Sequence, residues 1–102
     1  MSVSSYLVCP ARRLVLSLGK RLRDSDGDVC GFALRDRKTS DDVETTRALW
    51  RFLAETAGEE LVVRFSDDED FENIAGYRLI SRRADEDSDI TLADYVRGGM
   101  PV

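Results

Sequence analysis

A chain of 102 residues with 42% hydrophobic and 34% charged side chains has the composition of one domain with a modest core and a charged exterior. It contains fifteen Lys and Arg against twenty Asp and Glu, a net charge of −5, and no histidine. The missing histidine removes the commonest catalytic side chain near neutral pH, and a pI of about 4.7 weighs against a polyanionic partner for the domain as a whole.

The charge is divided along the chain. Residues 1–38 carry eight Lys and Arg and four Asp, whereas residues 39–102 carry seven Arg and sixteen Asp and Glu. No apolar run approaches the roughly 20 residues that span a bilayer. Met1-Ser2-Val3-Ser4-Ser5 has no basic n-region, and Pro10 and Arg12 cut the apolar stretch behind it. The expectation is a cytoplasmic protein without a signal peptide or membrane segment.

Tyr6-Leu7-Val8-Cys9 is β-prone and stops at Pro10, which has no N–H for a ladder. Leu14, Leu16 and Leu18 alternate with Val15 and Ser17, so a hairpin is expected around Pro10-Ala11-Arg12, with Gly19 ending the second strand. Arg23 to Asp28 is a polar turn containing Asp26-Gly27. Val29 to Leu34 is a third strand with Cys30, Phe32 and Leu34 on one face.

Thr39-Ser40-Asp41 supplies N-cap residues, and Asp41 with Glu44 has capping-box spacing. Val43, Thr46, Ala48 or Leu49, Trp50, Leu53, Ala54 and Ala57 recur at three and four, which predicts a helix over Ser40–Ala57 with Trp50 as a core anchor. If Trp50 is not core, it is an interface residue. Arg47, Arg51 and Glu55 occupy the other, solvent-facing side, where Arg51 and Glu55 can pair at i,i+4, and Gly58 closes the helix. Leu61 to Phe65 is a fourth strand. Ser66 caps a short helical turn through Ala75 with its acids at the favourable end, and Gly76 stops it. Tyr77 to Ser81 is a fifth strand. Ile90 to Val96 is a short helix capped by Thr91, and Gly98 to Val102 is a frayed tail. The fold class expected is therefore α+β: one domain over 1–97, with a mainly antiparallel sheet of four or five strands and one principal helix on one face.

The chemical motifs are few. Asp24-x-Asp26-x-Asp28 resembles the start of a calcium loop, but Val29 takes the place of the glycine at position six and Arg35 that of the bidentate Glu at position twelve. An Asp-rich turn accounts for it better. There is no Gly-rich phosphate loop. Cys9 and Cys30 both lie in strand patterns, where a buried thiol is inert, and in a cytosolic chain the default for them is two reduced thiols. The expectation is a chain with no catalytic residue, cofactor or metal ligand.

Tyr6-x-x-Cys9, Leu16-x-Leu18-Gly19 and Phe52-Leu53-x-x-x-x-Gly58-x-x-Leu61 resemble a group of small uncharacterised bacterial proteins. Those carry C-x-x-C in the first hairpin and H-x-G-H after the helix, a spacing suited to a Cys₂His₂ zinc site. Here Cys9 remains, while Arg12, Thr56 and Glu59 stand in the other three places. The resemblance implies an α+β topology with the metal site lost, and it carries no activity.

These readings converge on a small acidic, non-enzymatic protein-binding module of the immunity-protein, inhibitor or accessory-subunit kind, bound to another protein with a basic surface. The residues for that role are Asp67, Asp68, Glu69 and Asp70 together with Asp85, Glu86 and Asp87. The alternative is a nucleic-acid-binding accessory domain that uses Arg12, Arg13, Lys20, Arg21 and Arg23 as a basic stripe along the first hairpin.

Overall fold

A computed structural model describes residues 3–69, 71–74, 76–81 and 89–97. Two long strands organise it, β1 (Ser4–Cys9) and β2 (Leu14–Arg23), paired antiparallel. A 3-10 turn at Pro10–Arg12 joins them, with Pro10 where no N–H is needed and Arg13 in the left-handed region at φ 51°. The hairpin stands where the Pro10 interruption put it.

β2 does not end at Gly19. Ser5 faces Gly19 while Tyr6 faces Ser17, so Leu18 is an extra residue, a β-bulge that bends β2 and lets it continue to Arg23. Its far half pairs antiparallel with β3 (Val29–Ala33). On the outer side of β1 lies β4 (Val62–Phe65), also antiparallel.

The sheet then departs from the antiparallel expectation. β5 (Arg78–Ser81) lies parallel to the near half of β2, Leu14 facing Arg78 and Leu16 facing Ile80. β6 (Ile90–Thr91) is parallel to β5. The result is a mixed six-stranded sheet in the order β4-β1-β2-β5-β6, with β3 beside β2. A four-residue strand such as Arg78–Ser81 carries no mark of its direction. Direction is set by the connection, because a parallel neighbour requires a crossover. Here the chain leaves β4 at one edge and returns beyond β2, and Phe71 in a 3-10 turn at Phe71–Ile74 packs on Tyr6 with ring centroids 5.4 Å apart. β6, at two residues, is too short to leave a period-two signal.

β3 and β5 share one flank of β2 end to end, and among the described residues no strand pairs there with the short stretch of β2 between them. The Thr39 hydroxyl fills part of that gap by donating to the Leu18 carbonyl at 2.6 Å. Gly19, at φ +98°, permits the approach: a Cβ there would stand 2.6 Å from the Ala33 carbonyl oxygen.

The helix α1 (Val43–Glu55) follows a 3-10 turn at Thr39–Asp41. Its cap is Asp42, not Asp41: the Asp42 carboxylate accepts from the Thr45 N–H at 2.9 Å and from the Thr45 hydroxyl at 2.6 Å. The helix α2 (Leu92–Arg97) is capped as expected, with the Thr91 hydroxyl accepting from the Asp94 N–H at 3.1 Å. The core lies between the sheet and these helices. Leu7, Cys9, Leu14, Leu16, Leu18 and Ile80 meet Ala48 and Phe52 of α1 and Leu92 and Tyr95 of α2. Among the described residues no helix is long and apolar enough to cross a membrane.

Candidate interaction surface

Which side of α1 meets the sheet decides what the molecule presents. Thr45, Ala48 and Phe52 are the helix's buried residues. At 3.6 residues per turn, Trp50 and Phe52 are two positions apart and point to nearly opposite sides. Phe52 is fully buried, and Trp50 is 68% exposed. The core-anchor reading of Trp50 is therefore corrected. α1 has two apolar stripes, and the sheet takes the one built on Phe52, Ala48 and Thr45.

The second stripe faces outward. Val43 (63% exposed), Trp50 and Leu53 lie at i, i+7 and i+10, close to one line along the helix. Arg51 and Glu55, expected on the solvent side, flank the core instead. The Arg51 guanidinium lies 4.6 Å from the centroid of the Tyr95 ring and donates to the Tyr95 carbonyl. Arg51 Nε stands 3.6 Å from Glu55 Oε2, and the Tyr95 hydroxyl donates to the same carboxylate oxygen at 3.2 Å. Burial first, and then the Glu55 charge, push the Tyr95 phenol well above its ordinary pKa. This cluster locks α2 against α1 and so holds the outer stripe in place.

The acidic residues divide. Asp67 accepts from Arg21 at 3.0 and 3.3 Å, and Asp68 accepts from the Phe65 N–H at 2.8 Å, so both have internal structural tasks. Glu69 is exposed. Asp70, Asp85, Glu86 and Asp87 lie outside the described residues, as do most of the loop over 82–89 and the tail over 98–102.

The basic residues do not form one stripe. Arg12 and Arg13 sit at the Pro10 turn, while Lys20, Arg21 and Arg23 lie along the far half of β2. At roughly 3.3 Å per residue the two groups are about 20 Å apart. Arg21 is also taken up by Asp67 and by the Phe65 ring, 4.8 Å from its centroid, and its side chain is only 12% exposed. Arg23 donates to the Gly27 carbonyl in the Asp-rich turn. In that turn the Asp24 carboxylate accepts from the N–H groups of Asp26 and Asp28 at 2.9 and 3.0 Å, the geometry of a closed Asx turn.

Both cysteines are free thiols: Cys9 is buried, and Cys30 is exposed on β3. Cys30 thus departs from the buried, inert expectation, because β3 covers only the far half of β2 and extends past the core. Of the four positions that the bacterial resemblance aligns with a zinc site, Cys9 and Thr56 are buried, and Arg12 and Glu59 are exposed.

The chain matches no protein-family model, and comparison with curated proteins and with solved structures finds no significant match.

Proposed function

We propose that this protein is a non-enzymatic binding module that recognises another protein through the outer face of α1. The observation that carries the reading is the exposure of Trp50 in line with Val43 and Leu53. A large aromatic with most of its surface in water, set on a helix anchored on its other side, has the character of an interface anchor. Tryptophan is rich in contact area and poor in rotamer freedom, so it binds with little entropic loss.

The partner is a protein with a pocket for the indole and a basic surface around it. The net charge of −5 favours such a partner at long range and speeds encounter more than it adds affinity. In this reading the acidic residues steer and the α1 stripe holds, so the acidic segment does not carry the binding alone. An immunity-protein, inhibitor or accessory-subunit role fits that division.

The test is capture from an extract of the source cells by the wild type, Trp50→Ala and Glu69→Lys, with crosslinking, at low and high salt. The expected result is a basic protein held by the wild type, lost by Trp50→Ala, regained by Trp50→Phe, and weakened by Glu69→Lys mainly at low salt. Retention of every partner by Trp50→Ala overturns the reading. Glu69 is preferred to Asp67 for the charge reversal because Asp67 also holds Arg21.

A further inference from the structure

Beside the outer stripe, where α1 meets the far half of the sheet, lies an apolar groove. Its walls are Leu7 of β1, Leu18 and Leu22 of β2, Phe32 of β3 and Leu49 of α1, and its volume is about 560 Å³. That falls within the ~300–1,000 Å³ of small-molecule sites. Leu22, Phe32 and Leu49 are only half-buried, so the groove leaves apolar surface that an occupant can still cover.

The polar lining is concentrated on the segment between β3 and α1 and on the first turn of the helix. Lys38 is the one charged side chain among the described residues that line the groove. Two of the neighbouring hydroxyls are already engaged, Thr39 with the Leu18 carbonyl and Thr45 with the Asp42 carboxylate. They brace the rim. Ser40 and Thr46 line the same part of the groove. Lys38 is exposed at this rim, so its flexible side chain can bring the one positive charge of the lining to the head of an apolar chain, which suits a negative head.

We propose that this groove binds a free single-chain carboxylate amphiphile of the fatty-acid class, its chain along Leu18, Leu22, Phe32 and Leu49 and its carboxylate at Lys38, Ser40 and Thr46. The groove adjoins the outer stripe of α1, since Thr46 stands four residues from Trp50 and Leu49 four from Leu53, but the site proposed here uses none of Val43, Trp50 and Leu53. A ligand here packs between α1 and the sheet, where it favours the seated helix.

Cys30 on the groove wall supplies the readout. It is exposed while Cys9 is buried, so N-ethylmaleimide modifies Cys30 selectively in the folded protein. The full chain is titrated with dodecanoate below its micellar concentration, and the modification rate of Cys30 is followed beside a direct calorimetric titration. The expected result is a saturable slowing of Cys30 modification at the concentration where heat is released. Lys38→Glu weakens this about tenfold, Lys38→Gln weakens it less, and both variants keep the wild-type circular dichroism. Dodecanol and dodecyltrimethylammonium protect more weakly than dodecanoate in the wild type. Absence of both protection and heat overturns the proposal. Equal protection by dodecanoate and dodecyltrimethylammonium, or an unchanged affinity in Lys38→Glu, overturns the assignment of the head group to Lys38.

Discussion

Arg21 near the end of β2 and Asp67 just beyond β4 hold one another across 46 residues of sequence, through two guanidinium–carboxylate contacts of 3.0 and 3.3 Å. The guanidinium also lies over the Phe65 ring, so the pair fastens the turn after β4 to the far half of β2. Because Asp67 is half exposed, the pair is a modest one. Asp67→Asn is expected to cost about 0.5–1 kcal/mol in urea unfolding, with a smaller loss at high salt. In a double-mutant cycle, Arg21→Gln with Asp67→Asn is expected to cost less than the sum of the single changes. Strict additivity would remove the pairing from the account.

Trp50 and Phe52 are expected to give opposite results on truncation. Phe52→Ala empties a fully buried position between the sheet and α1 and is expected to cost about 3–5 kcal/mol. Trp50→Ala removes a side chain that touches little of the core and is expected to stay within about 0.5 kcal/mol of the wild type. Chemical denaturation of both variants checks this, and the wild-type indole should emit like a solvated one.

Gly19 is expected to resist every replacement. Its φ is +98°, and any Cβ at this position would stand 2.6 Å from the Ala33 carbonyl oxygen. Even alanine is therefore penalised, by about 2 kcal/mol or more. Thr39→Val, which keeps the shape and loses the hydroxyl donated to Leu18, is expected to cost about 1–2 kcal/mol by leaving a buried carbonyl without that donor. Thermal unfolding of the two variants measures both effects.

Tyr95 ties stability to alkaline pH. Its phenol is raised in the folded state by burial first and by the Glu55 carboxylate next. Below the unfolded value of about 10, the phenol is neutral in both states and its contribution is complete. Above that value the unfolded chain loses the proton first, so stability falls as pH rises toward the folded value. Tyr95→Phe is expected to unfold at lower urea concentration than the wild type at pH 7, because the hydrogen bond to Glu55 is gone. It should also show a shallower decline above pH 10. Parallel slopes in the two proteins would show that Tyr95 does not drive the alkaline loss.

Much of the local structure is legible in the chain. Pro10 marks the hairpin, Leu14-x-Leu16-x-Leu18 the buried face of β2, and Thr91 with Asp94 the start of α2, because each rests on backbone chemistry within a few residues. The helix itself is legible too, but its orientation is not. Val43, Trp50 and Leu53 form one apolar stripe and Ala48 and Phe52 another, and the periodicity of an isolated helix cannot say which of two stripes finds the sheet. For that reason the helical pattern alone places Trp50 in the core. It leaves the acidic segment with the whole binding role, although Asp67 and Asp68 have partners within the fold.

What the sequence determined by itself is the inventory: one small α+β domain, acidic in balance, without histidine, with strand ends and helix caps written into prolines, glycines and short polar side chains. What only the tertiary structure decided is which groups meet. It turned β5 parallel to β2, carried β2 through Gly19, paired Arg21 with Asp67, and left Trp50 and Cys30 in water. The physical reason is range. Turns and caps are settled by contacts a few residues apart, whereas strand direction, the buried side of a helix and the pairing of distant charges depend on where segments many residues apart come to rest against a shared core.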